Sequence, residues 1–202
     1  ILSCGPAVTV QDLGRPGFLA QGLTRGGAAD VLALHEGAAL LGQSPDFAAL
    51  EMVGMGGSFR ANADIRIALT GAPMATTLDD VPIAWNASHL LPAGSILKIG
   101  GASSGTYGYL HIGGGIETPV MMGARATHLN ASLGAALQAG EILPIGQDRG
   151  QTTGMTLASA DRFGGGRRRI TASIQTDQFD HATRARLGSA SFYRDAPRRR
   201  TA

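Results

Sequence analysis

The stretch Thr9-Val-Gln-Asp-Leu-Gly-Arg-Pro-Gly17 decides how this chain is read. It opens on β-branched residues, which suit a strand. It then turns polar at Gln11 and Asp12. Gly14, Pro16 and Gly17 end the strand and set a tight turn. Three side chains that each want several hydrogen bonds are delivered into one glycine-bounded turn. Asp12 and Arg15 stand close enough in sequence to be expected to pair with one another.

Working outward, the composition favours the same architecture. The 202 residues include 30 glycines and nine prolines, with 44% hydrophobic and 16% charged residues. That is a globular chain of many turns and short strands, so a mainly β fold is expected. One helix is expected at about 31–41. Val31, Leu34, Ala38 and Leu41 recur at helical spacing, Asp30 is its N-cap, and Gly42 and Pro45 stop it. Further strands are expected at 7–10, 48–53, 65–70, 76–78 and 107–112, with Asp79-Asp80 as a hairpin turn. Ala93-Gly-Ser-Ile-Leu-Lys-Ile-Gly100 repeats as Ala139-Gly-Glu-Ile-Leu-Pro-Ile-Gly146, and each copy reads as a turn feeding a strand. Later in the chain, Arg169–Ile174 reads as a strand and Gln178–Leu187 as a short helix.

Several function classes are excluded by counting. Lys98 is the sole lysine and is followed by Ile99, so there is no Walker A loop, no biotin-bearing Met-Lys-Met hairpin and no plausible Schiff-base lysine. Cys4 is the sole cysteine, which excludes an intrachain disulfide and a cysteine metal cluster. The five histidines lack metal-ligand spacing, and no metal is expected. His111 reads as an outward-facing polar strand residue. No apolar run approaches the roughly 18 residues of a membrane span, and no signal peptide is visible, so a cytoplasmic protein without a membrane partner is expected. Up to Ala160 there are six arginines, one lysine and 11 acids, a net of −4; from Asp161 on there are ten arginines and four acids, a net of +6. The clusters Arg167–Arg169 and Arg198–Arg200 lack interleaved aromatics, so they read as a solvated face or tail and no nucleic-acid partner is expected. Gly101-Ala-Ser-Ser-Gly105 matches a nucleophile-elbow pattern, but a strand follows it where the elbow needs a helix. A glycine-rich hairpin loop is the better account.

The residues that combine into a candidate catalytic site are Asp12, Arg15, Asp30 and Arg125. Arginine clamps carboxylates and oxyanions, and a nearby carboxylate can orient an amide N–H or take a proton. Gln11, Glu51, Thr127 and the bare peptides Gly113, Gly114 and Gly115 are the substrate-binding candidates. Gly113 to Gly115 allow close backbone approach to a ligand or to another strand. Glu51, flanked by Leu50, Met52 and Val53, is expected to face solvent by alternation.

Thr9 to Gly17, Gly26-Gly-Ala-Ala-Asp30, Leu41-Gly-Gln43 with Leu50-Glu51, Thr70-Gly-Ala72, Tyr109-Leu-His-Ile-Gly-Gly-Gly-Ile116 and Gly123-Ala-Arg-Ala-Thr127 occur in an order that resembles one family. It is the biotin-dependent carboxyltransferase / allophanate hydrolase subunit 2 family, which includes the C-type component of 5-oxoprolinase and the carboxyltransferase part of urea carboxylase. The likeness covers about residues 5–147. It implies cyclophilin-like β-barrel domains: a first at 1–147, and over 148–202 a linker with an incomplete second barrel and a basic C-terminal end. It implies an ATP-dependent 5-oxoprolinase-type hydrolase that opens the 5-oxoproline lactam to glutamate. The implied partners are a related-fold subunit, like the B-type component of 5-oxoprolinase, and a lactam-utilisation subunit, with ATP held at the level of the complex. One alternative implied by the resemblance is carboxyl transfer from carboxybiotin, carried elsewhere, to urea or a similar small amide. Another is a regulatory binding protein that antagonises a kinase-inhibitor partner. The chain departs from the family pattern with Glu36-Gly37 in place of Ala-Asn, Gln43 in place of Asn, Ala124 and Ala126 in place of two serines, and Gly113 in place of Ala.

Overall fold

A computed structural model of the chain describes residues 1–158, 162–163 and 170–191. It forms two compact units, Ile1–Phe163 and Gly164–Thr201. In the first unit, alternation along the strands assigns the faces. Strands β1 (Ser3–Cys4), β2 (Val8–Gln11), β3 (Ala49–Val53), β4 (Met55–Arg60), β5 (Ile65–Gly71), β6 (Met74–Leu78), β7 (Val81–Pro82), β8 (Ala87–Leu91), β9 (Ile96–Ala102) and β10 (Tyr107–Ile112) follow in chain order. They make two five-stranded antiparallel sheets, β1-β4-β9-β6-β7 and β2-β3-β10-β5-β8. The fold is mainly β, as expected, but the strands do not close into one barrel. The chain instead passes repeatedly from one sheet to the other, and three of the short corners matter here. These are Gly54, the Gly71–Pro73 step, and the loop from Ser103 to Thr106. Gly54 and Gly71 have φ of 72° and 76°, a region that favours glycine. The Gly101–Gly105 pattern ends β9 and runs into the third corner, so it is no nucleophile elbow.

Val8, Val10, Leu50, Met52, Ile67, Leu69, Leu110 and Ile112 fill the space between the sheets with Phe59, Leu97 and Ile99. Period-2 geometry sends their neighbours to the opposite face of the second sheet. That face carries Thr9, Gln11, Glu51, Arg66, Thr70, Tyr109 and His111, all buried. The helix α1 (Val31–Leu41) covers part of it. Ala33, Leu34, Gly37, Ala38, Leu40 and Leu41 are buried, whereas Val31 is half exposed. Asp30 caps the helix by accepting from Ala33 N–H at 3.2 Å, and Gly42 at φ 63° closes its C-terminal end.

The hairpin at Asp79-Asp80 forms as expected, with both residues at positive φ (47° and 67°). The repeat does not hold. Ile96–Ala102 is a strand, but residues 139–146 are loop with one bridge, Ile116 to Ile145. Pro144 stands where the first copy has Lys98, and a proline has no N–H for a ladder. Beyond residue 147 the chain still lies on the second sheet. Met155 N–H donates to Ser88 Oγ at 3.0 Å, and the carboxylate of Asp148 grips Arg66.

In the second unit the helix α2 (His181–Ser189) starts three residues later than expected. Asp180 caps it, accepting from Thr183 N–H at 2.7 Å. Residues 170–174 form no strand. Arg167–Arg169 and Arg198–Arg200 lie outside the described residues, and so does most of the basic C-terminal end. Among the described residues, no helix is long and apolar enough to cross a membrane.

Candidate functional site

Cross-strand register builds a polar row on the covered face of the second sheet. Thr9 stands opposite Glu51, Glu51 opposite Tyr109, and Tyr109 opposite Thr70. Glu51 is therefore not solvent-facing but 2% exposed. A buried carboxyl needs donors, and Glu51 Oε2 accepts from Tyr109 Oη at 2.6 Å and from Ala29 N–H at 2.6 Å. Tyr109 Oη in turn accepts from Asp30 N–H at 2.8 Å. Burial, followed by the nearby Glu51 charge, raises the Tyr109 pKa well above its ordinary value, so the phenol keeps its proton and acts as donor. Tyr109→Phe removes that donor and leaves Glu51 and the Asp30 N–H each short of a partner. It is expected to lower the unfolding free energy by about 1–3 kcal/mol in urea titration.

The turn after β2 joins this row to a second loop. Ala28 N–H donates to Asp12 O at 2.9 Å, and Arg15 N–H to Arg25 O at 2.9 Å, so residues 25–30 are threaded between the turn and the row. Asp12 and Arg15 do not pair. Asp12 Oδ1 closes the turn on Gly14 N–H at 2.8 Å, and Oδ2 accepts from Arg125 N–H at 2.6 Å. Each oxygen thus has a backbone donor of its own. The Arg15 guanidinium instead reaches carbonyls of the second loop, Met121 O from Nε at 3.3 Å and Ala126 O from Nη2. Gln11 Nε2 takes the next carbonyl, Thr127 O, at 3.0 Å, while Thr127 N–H donates to Val10 O at 2.9 Å. Arg125 Nη1 donates to Thr118 O. Asp12, Arg15, Gln11, Arg125 and Thr127 therefore converge, and Asp30 and Glu51 are linked to them through residues 25–30.

Gly113, Gly114 and Gly115 lie apart from this cluster. Of the two partners that bare peptides allow, the structure supplies the chain itself. A β-carbon at Gly113 would sit 2.1 Å from Asp148 Oδ2, one at Gly114 2.2 Å from Gly146 O, and one at Gly115 2.9 Å from Phe47 Cβ. A cavity of about 730 Å³ opens between the sheets, among Leu50, Ile67, Leu110 and Ile112. Its walls are on the opposite side of the second sheet from the polar row, and Asp12, Arg15, Asp30 and Arg125 do not line it.

His111 is not the outward-facing residue that alternation suggested. It is 3% exposed beneath α1, with Nε2 2.8 Å from Thr70 Oγ1. Thr70 gives its own proton to Ala33 O at 2.9 Å, which leaves the ring Nε2–H as donor to Thr70. Burial pushes the His111 pKa down to about 3, so the ring is neutral. Thr24, His128 and Arg162 also belong to the site region without a signal in the sequence, whereas Tyr109 reads there only as a strand residue of a signature stretch. Arg162 holds Asp30 Oδ1 at 3.2 Å and Glu36 Oε2 at 2.7 Å from 132 and 126 residues away. Only tertiary pairing makes these residues neighbours.

The family model of the carboxyltransferase domain, subdomain A and B, matches residues 21–202. This chain belongs to that family. Within it, the C-type component of the 5-oxoprolinase of Haemophilus influenzae is 36% identical over 152 residues, 73% of this chain and 49% of that protein. The urea amidolyase of Lachancea kluyveri is 30% identical over 152 residues, 73% of this chain and 8% of that protein. The crystal structure of TTHA0988 in space group P6522 is similar with a TM-score of 0.75 and 26% identity, covering 79% of this chain and 60% of that one. This carboxyltransferase-family chain spans about half the length of the 5-oxoprolinase relatives it matches. Among its described residues no group of three or more His, Cys, Asp or Glu is arranged to hold a metal ion.

Proposed function

We propose that this chain is part of an ATP-dependent 5-oxoprolinase-type enzyme that opens the 5-oxoproline lactam to glutamate. It acts there with a related-fold partner of the B type and a lactam-utilisation subunit, in the cytoplasm. The observation that carries the reading is the convergence of the signature stretches. The Asp12–Arg15 turn, the Gly26–Asp30 loop, Glu51 and the Ala124–Thr127 loop are bonded into one block. In that block Asp12, Arg15, Asp30 and Arg125 are the catalytic candidates, and Gln11, Glu51 and Thr127 bind substrate. Gln11 Oε1 is a buried acceptor with no protein partner, which suits the N–H of an amide. Gly113 to Gly115 shape the neighbouring segment rather than touch substrate.

The described residues do not fit a nucleoside triphosphate. Lys98, the sole lysine, lies in β9 and pairs with Asp80 at 2.6 Å, both exposed. In this reading ATP is held at the level of the complex, and in the second reading biotin is carried by another chain or domain. That reading, carboxyl transfer from carboxybiotin to urea, is favoured by the urea amidolyase relatives. Both reactions act on an N–C=O group.

The test reconstitutes this chain with its co-encoded partners and measures glutamate formed from 5-oxoproline and ATP. The expected result is ATP-dependent glutamate release that stops when this chain is left out. Carboxybiotin consumption on urea, with no glutamate from 5-oxoproline, overturns the first reading in favour of the second.

A further inference from the structure

Arg162 reaches Asp30 from the far end of the first unit. Its Nη1 donates to Asp30 Oδ1 at 3.2 Å and its Nη2 to Glu36 Oε2 at 2.7 Å. The three side chains are partly buried, at 21–22% exposure. The guanidinium is held from both sides along the chain. Upstream, Leu157 N–H donates to Asn86 O at 2.8 Å, Thr156 bridges to Ala87, and Leu157 packs on Leu40, Leu41 and Ala68. Downstream, the Phe163 ring centre lies 4.8 Å from the guanidinium carbon. That ring fills the corner at Gly105, where a β-carbon would sit 2.6 Å from Phe163 Cδ1.

Partly exposed ion pairs add little stability. What this triad fixes is geometry. Asp30 is bound through its backbone, whose N–H donates to Tyr109 Oη, and through one carboxylate oxygen, Oδ1, which accepts from both Ala33 N–H and Arg162. Among the described residues, Asp30 Oδ2 takes part in no hydrogen bond or ion pair. Glu36 has the shorter bond to Arg162, so it anchors the guanidinium that orients Asp30. A carboxylate fixed at one oxygen presents the other as an acceptor in a set direction.

We infer that Arg162 is a positioning residue of the site: anchored on Glu36, it holds Asp30 Oδ1 so that Oδ2 is left to accept an N–H of the amide substrate. This rests on the proposed place of Asp30 in the site, but not on which of the two amide reactions the complex performs.

The test reconstitutes the complex with wild type, Arg162→Ala and Arg162→Lys, and measures both 5-oxoproline turnover and carboxybiotin turnover on urea. Arg162→Ala is expected to lower kcat about 10–100-fold in whichever turnover the wild type shows, with KM changed far less. Its Tm should fall by no more than about 4 °C. Arg162→Lys keeps the charge but lacks the fork that spans two carboxylates, so it should recover only part of the loss. Millimolar guanidinium should restore part of the activity of Arg162→Ala and leave the wild type unchanged. Carbon NMR of the Glu36 carboxyl gives a readout without turnover. Burial holds the Glu36 pKa above its ordinary value while Arg162 draws it down, so in Arg162→Ala it should rise further beside the Asp30 charge. Unchanged kcat in Arg162→Ala, a loss that only tracks unfolding, or an unmoved Glu36 titration overturns the positioning role. So does a wild-type complex with neither turnover, which removes Asp30 from a site. The same kcat loss in a complex that turns over urea but releases no glutamate supports the role and defeats the lactam reading.

Discussion

Replacing Arg66 by alanine is expected to lower the unfolding free energy by about 3 kcal/mol or more, with loss of order at 148–152. The guanidinium is bidentate to Asp148, with Nε to Oδ2 at 2.7 Å and Nη2 to Oδ1 at 2.6 Å, and Nη1 donates to Leu41 O at 3.1 Å and Thr152 O at 2.8 Å. One side chain on β5 thus ties the C-terminal end of α1 to the segment beyond residue 147. The Leu41 carbonyl is at the negative end of the helix, where a cation is favourable. Removing Arg66 strands a half-buried carboxylate and two carbonyls. Urea titration of Arg66→Ala checks the magnitude, and an effect under about 1 kcal/mol refutes the arrangement.

The same pair predicts an acid limb. Hydrogen bonds from Arg66, the largest cause, hold the Asp148 pKa below its ordinary value. A carboxyl depressed in the folded state contributes stability that is complete above its unfolded pKa, near about pH 4, and is lost as pH falls through the lower folded value. The stability lead of the wild type over Asp148→Asn should therefore be full at about pH 7 and vanish below the ordinary carboxylate range. Thermal melts of both proteins across that range measure it, and a lead that persists in acid refutes it.

Gly37→Ala carries the second large effect. Alanine in a helix interior ordinarily gains about 1 kcal/mol over glycine. Here the new β-carbon would sit 2.2 Å from Cδ2 and 2.3 Å from Nε2 of His111, whose ring is buried and bonded to Thr70. Overpacking of a filled site costs about 1–3 kcal/mol and occasionally more, so Gly37→Ala is expected to destabilise by about 3 kcal/mol. The decisive measurement repeats the substitution in a His111→Ala background. There the obstruction is gone, and the same change is expected to stabilise by about 1 kcal/mol. An equal cost in both backgrounds rules out the His111 explanation. The departure at Gly37 from the family pattern is thereby explained by packing. The residue under the helix takes the space that a side chain on it would use.

Legibility in the sequence followed the range of the interaction. Asp30 as cap, Gly42 as stop, the Asp79-Asp80 hairpin and the strand around Tyr109 could be read locally, because each depends on groups a few residues apart. The ordered signature stretches identified the family before any contact was visible. Errors arose where a local rule met a distant partner. Alternation put Glu51 and His111 in solvent, but both faces of β3 and β10 are covered, one by the opposite sheet and the other by α1 and residues 25–30. The repeat at 139–146 failed at a single proline.

By itself, then, the sequence determined a mainly β chain of this family, its one long helix in the first unit, and the short set of polar residues from which a site could be drawn. Only the tertiary structure decided what those residues do to one another. It parted Asp12 from Arg15, because backbone N–H groups of Gly14 and Arg125 satisfy the carboxylate first. It set Gly113 to Gly115 against the chain itself, because Asp148, Gly146 and Phe47 fill their open faces. And it left the Arg15 guanidinium buried beside Gly26 with one nitrogen unspent. A buried charge requires a partner, but whether the chain itself supplies one depends on contacts between residues a hundred positions apart, which no local pattern encodes.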